Sequence, residues 1–109
     1  MAVQPNPSRE AVRGTVPKMI ELSETVIYGD VWERPGLSKR DRSLAVIATL
    51  IATYRPDQLR GHLGRALDNG VTKDEIAEVI THLAFYAGWP ASMTAARIAG
   101  EVFTERGLA

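Results

Sequence analysis

Cysteine is absent from all 109 residues, so disulfides, zinc–thiolate sites, iron–sulfur ligation and thiol redox chemistry are excluded outright. An excess of either charge is missing too: Lys plus Arg and Asp plus Glu each number 13, for a formal net charge of zero. Such a chain lacks the basic field that draws nucleic acid or an anionic membrane, and little net repulsion opposes self-association. Long hydrophobic runs are also wanting. The longest apolar stretch, Leu44 to Tyr54, is broken by threonines and is too short to span a bilayer. The opening residues, with Pro5, Asn6, Pro7 and Ser8, hold no apolar run. They read as neither signal peptide nor anchor, and the expected location is cytoplasmic. No segment alternates with period two, which argues against strands.

What is present is ordinary globular composition, 45% hydrophobic and 24% charged, in a length that suits one core. The expected organisation is a flexible arm over residues 1–14 and a single helical domain over 15–109. Met19, Ile20, Leu22, Val26 and Ile27 recur at helical spacing and predict a first helix from Val16 to about Gly29. Ser38 and Asp41 stand as cap and third residue of a second helix, about Lys39 to Thr53. Pro56 suits the first turn of a third helix that ends at Asn69-Gly70. Thr72 and Glu75 form a capping box for a fourth, running to about Ala87. Pro90 opens a fifth, running to about Arg106. The fold class is therefore all-α, a bundle of about five helices. The second helix is apolar in every direction around its axis and needs cover on all sides. Few neighbours exist in so small a domain, so a homo-oligomer is expected. The small residues of the fifth helix (Ala91, Ala95, Ala96, Ala99, Gly100) suit close helix contact.

Chemistry near neutral pH points first to the only two histidines, His62 and His82. Glu78, His82 and Tyr86 are four residues apart in turn, so a helix stacks them in one column as a candidate acid–base array. The alternative reading makes each histidine a hydrogen-bonded residue at the core's edge. Arg40 and Arg42 fall in the first turn of the second helix, where positive charge opposes the helix dipole. They serve either as an anion clamp or as partners of Asp41, Glu33 or another acid. Trp32 and Trp89 adjoin Gly and Pro punctuation and either wall a pocket or pack a loop, with Glu33 beside the first. Glu78, His82 and His62 lack the spacing of a metal motif, so no metal is expected. Phosphate loops and a nucleophile elbow are absent.

Four runs, read in order, carry a resemblance. Leu37-Ser38-Lys39-Arg40-Asp41-Arg42-Ser43-Leu44 leads into an Ala/Ile/Thr-rich helix, and Leu59-Arg60-Gly61-His62 follows. Next come Ala66 to Ile76, with Asp68-Asn69-Gly70, and Glu78-Val79-Ile80-Thr81-His82 through Tyr86-Ala87-Gly88-Trp89-Pro90. From about Tyr28 to Val102 this set resembles the carboxymuconolactone decarboxylase family. The resemblance implies an alkylhydroperoxidase D-like helical bundle in a ring-shaped homo-oligomer, a hexamer or trimer. Peroxidase relatives use Cys-x-x-Cys followed four residues later by a histidine. Here that histidine matches His62, and the thiol positions fall on Arg55 and Gln58, so the resemblance is to the branch without thiols.

That branch implies a cofactor-free decarboxylase acting on 4-carboxymuconolactone or a related small carboxylated lactone. Such a reaction needs a carboxylate anchor, a donor at the developing oxyanion and a proton source. The expected catalytic residues are His62, His82, Arg42 and Tyr86, with Trp32, Glu33, Glu78 and Trp89 around the substrate. Two alternatives stay open: another proton-transfer enzyme on a small acid (isomerase, cyclase or dehydratase), since one fold hosts many reactions, and a non-catalytic oligomeric scaffold or stress protein.

Overall fold

The computed structural model describes residues 6–108, and the chain divides into two compact units between Leu37 and Ser38. In the first, Asn6 caps α1 (Pro7–Arg13) by accepting a hydrogen bond from the Arg9 amide, with proline at the start where no donor is lost. This helix lies within the stretch read from sequence as an arm. Its last residue, Arg13, is held at 2.7 Å by both Glu10 and Glu24. The single helix expected from Val16 to Gly29 is instead α2 (Pro17–Leu22) followed by a π-helical turn, Ser23–Ile27. The Ser23 and Thr25 hydroxyls donate to the Ile20 and Glu21 carbonyls, and such side-chain competition loosens a helix. Gly29 closes the segment because a Cβ there would stand 2.6 Å from the Glu24 carbonyl oxygen. A short 3-10 turn, Val31–Glu33, follows.

The second unit is a four-helix bundle: α3 (Lys39–Ala52), α4 (Pro56–Asp68), α5 (Lys73–Tyr86) and α6 (Trp89–Glu105). Described residues thus form six α-helices, against the five or so expected, and no strand. α3 and α6 each pack on both α4 and α5, and touch one another more lightly. Between them lie Ile47, Ile51, Leu63, Ile76, Ile98 and their neighbours, nearly all without solvent contact. Each such side chain contributes about 1.5–3 kcal/mol by leaving water.

One end of the bundle is closed by polar side chains. Ser38 accepts from the Asp41 amide, and Thr72 and Glu75 cap each other's backbone reciprocally. Glu75 is also ion-paired with Arg40, Asn69 donates to Ser43 at 3.0 Å and Arg106 reaches Asp68 at 2.6 Å. α3 is not covered all round: Asp41, Ala45, Thr49 and Ala52 are exposed along one side, whereas Leu44, Val46 and Leu50 are half-buried. Among the described residues, no helix is long and apolar enough to cross a membrane.

Candidate active site

α4 positions His62 one turn beyond Leu59 and one turn before Ala66, both buried. The imidazole is therefore carried at the rim of the core and is itself half-buried. Its Nδ1 is sealed from solvent and has no hydrogen-bond partner among the described residues. Burial first, then the positive charge of Arg65 one turn on, holds this imidazole below its ordinary value of 6.5. The group is neutral at physiological pH.

α5 carries the other candidates on its outer side. His82 and Tyr86 are both exposed, and their ring centroids lie 4.8 Å apart at a 40° tilt, as expected four residues apart on a helix. Glu78, one turn before His82, is exposed and makes no hydrogen bond to the pair among the described residues. Tyr86, at 79% exposure, leads into a turn made possible by Gly88, whose φ of +108° suits only glycine. Trp89 then opens α6 and meets Phe85 edge-on, with centroids 5.9 Å apart.

The two histidines are not brought together within one chain. α4 and α5 both pack on α3 and touch one another at most slightly, and His62 and His82 make no ring contact or hydrogen bond with each other among the described residues. Arg42 is half-buried in the first turn of α3. Trp32 is buried against Tyr28 in the first unit, with centroids 5.9 Å apart, and Glu33 beside it is exposed. Arg40, also in the first turn of α3, is ion-paired with Asp41 and Glu75. Among the described residues no group of three His, Asp or Glu side chains is arranged to hold a metal ion.

Sequence reasoning did not single out two features. A groove of about 450 Å³ between the start of α4 and the middle of α6 is lined by Tyr54, Asp57, Arg60, Arg97 and Ile98. Its two guanidinium groups are both engaged by Glu101, and Arg60 also by Glu105, so the groove is charge-matched internally. The second is an apolar patch at the open end of the bundle, where Phe85 (77% exposed), Trp89 (60%) and Met93 (61%) follow one another at four-residue intervals beside His82. The i, i+4 spacing was visible in the sequence; its exposure was not.

The family model described as the carboxymuconolactone decarboxylase family matches residues 17–101. The chain belongs to this family. Among curated proteins of that likeness is the 4-carboxymuconolactone decarboxylase of Acinetobacter baylyi, 52% identical over 82 residues, which are 75% of this chain and 61% of that protein. Another is nitrosuccinic acid decarboxylase of Metarhizium robertsii, 39% identical over 75 residues, which are 69% of this chain and 52% of that protein. The chain thus spans between half and two thirds of the length of these relatives. Family membership accords with the cysteine-free sequence, in which His62 and His82 are the only imidazoles.

Proposed function

We propose that this chain is a cytoplasmic, cofactor-free decarboxylase of a small carboxylated lactone, of the kind named in the Acinetobacter relative. The observation that carries the reading is His62: a neutral, half-buried imidazole at the core's edge in a chain with no thiol. The chemistry follows from the substrate. The bond to the ring carboxylate breaks, carbon dioxide leaves, and the electron pair moves through the ring alkene onto the lactone carbonyl oxygen. The resulting dienolate takes up one proton on the carbon next to that carbonyl and becomes the enol-lactone. The names of both relatives imply acids bearing a group, a lactone carbonyl or a nitro group, that can receive electrons as carbon dioxide departs. The common need is a donor at the developing oxyanion.

In this reading His62 and His82 serve as donor and proton source, Arg42 anchors the remaining carboxylate and Tyr86 steadies the oxyanion. Trp32, Glu33, Glu78 and Trp89 shape the substrate's surroundings. Exposed Phe85, Trp89 and Met93, with the small-residue side of α3, support a homo-oligomer (a ring-shaped hexamer or trimer), since an apolar patch rimmed by polar groups marks an interaction surface.

The test is release of carbon dioxide from 4-carboxymuconolactone. Turnover is expected for the native chain, and a loss of about 10²- to 10⁴-fold in His62→Ala with helicity and assembly unchanged. No turnover by the native chain rejects the lactone as substrate. Full activity in His62→Ala rejects the role of this imidazole.

A further inference from the structure

The two ring nitrogens of His62 differ in a way that divides the work of catalysis. Nδ1 is sealed from water and has no partner among the described residues. A buried N–H without an acceptor is rarer and less tolerable than a buried lone pair without a donor, so the single proton of the neutral ring belongs on Nε2. Adding a second proton would place a charged, unpaired N–H on Nδ1 in the same dry position, which costs far more. The Arg65 guanidinium, one turn along α4, opposes that charge as well.

We infer that His62 acts as a fixed, neutral Nε2–H hydrogen-bond donor to the substrate's developing oxyanion, and that the proton delivered to carbon comes from a different group. This rests on the decarboxylase reading above for its substrate, but not for its tautomer. In the balanced step the electron pair of the broken carbon–carbon bond ends on the lactone oxygen, which the Nε2–H stabilises without giving up its proton. When carbon is protonated the carbonyl re-forms, and His62 emerges in the state in which it began. A group that never changes protonation needs no recharging between turnovers. His82, exposed to solvent on α5, can exchange protons with water and fits the second role. The donor and the proton source then sit on separate helices, and neither histidine is required to do both jobs.

The experiment uses the full chain labelled with ¹⁵N-histidine. Long-range nitrogen–proton correlation spectra at neutral pH read the tautomer directly. The expected spectrum for His62 has a protonated, pyrrole-type Nε2 and an unprotonated, pyridine-type Nδ1. A protonated Nδ1, as either the other tautomer or an imidazolium, overturns the inference. Lactone turnover supplies the second arm. His62→Gln sets an amide N–H near the place of Nε2, whereas His62→Asn sets one near Nδ1. Gln is expected to retain at least about tenfold more turnover than Asn, roughly the value of one neutral hydrogen bond, and equal rates in the two variants overturn the role. Failure of the native chain to turn over the lactone removes the functional reading while the nitrogen spectrum still decides the tautomer.

Discussion

The two ends of the four-helix bundle are finished in opposite ways. At the end where α3 and α5 begin, backbone groups are capped by Ser38, Thr72 and Glu75, and side chains are tied by Arg40–Glu75, Asn69–Ser43 and Arg106–Asp68. At the end where α3 and α5 stop, Tyr54 takes a left-handed φ of 55°, Gly88 a φ of +108°, and Phe85, Tyr86, Trp89 and Met93 stand in solvent. Folding free energy is thus invested at the first end. The second end leaves aromatic surface, a strained turn and the exposed His82 available for something else. Unpartnered apolar area and backbone strain of this kind gather at functional sites because they lower stability without helping the fold.

Substitutions sharpen this contrast. The largest stability effect is expected from Gly88→Ala. A φ of +108° with ψ of 146° is a region that side chains avoid, so a loss of about 1–3 kcal/mol is expected in urea melts. The same change should disturb the His82–Tyr86 ring pair just ahead of the turn, read as a shift in the ring resonances. At the closed end Thr72→Ala removes one half of a capping box and should cost about 1 kcal/mol, with the same ring resonances unmoved. Phe85→Ser, at the open end, should change the stability of the single chain by less than about 0.5 kcal/mol. Its effect should appear in sedimentation instead, as loss of self-association. A large fall in single-chain stability would mean that the open end supports the fold after all, and the contrast would collapse.

The smallest effect is a slope. The imidazole of His62 is held below 6.5 in the folded chain, so below that pH the unfolded chain binds a proton that the folded chain resists. Stability is unaffected by this group above about pH 6.5, and falls as pH drops from there toward the depressed folded value. Denaturation at a series of pH values between 7 and 5 should therefore show a gentler decline in His62→Gln than in the native chain. Identical slopes would place the imidazole in water.

How far the sequence reveals all this depends on the range of the interactions involved. Helix boundaries at Ser38, Pro56, Thr72 and Gly88 were legible because caps, prolines and glycines act within a turn or two of their own position. The all-α class followed from periodicity alone. α1 was hidden, since Asn6 and Pro7 read equally as turn formers, and its ties to Glu24 come from eleven residues away. The π-helical turn at Ser23–Ile27 depends on hydroxyl competition that periodicity does not register. At the site, the spacing of His82 and Tyr86 foretold their ring contact, while Glu78, one turn earlier, is exposed and makes no hydrogen bond to His82 among the described residues. His62 was identified as a candidate, yet its sealed Nδ1 is a property of packing and was beyond reach. So was the difference in exposure between the two imidazoles, because burial is set by which helices happen to be neighbours.

The central claim is that imidazole, with no sulfur, supports decarboxylation through a dienolate that is protonated on carbon. Turnover of 4-carboxymuconolactone in D₂O tests it most directly. One carbon dioxide should be released per product, with one deuterium on the carbon next to the lactone carbonyl. Release of carbon dioxide with no deuterium there, or no release at all, would contradict it.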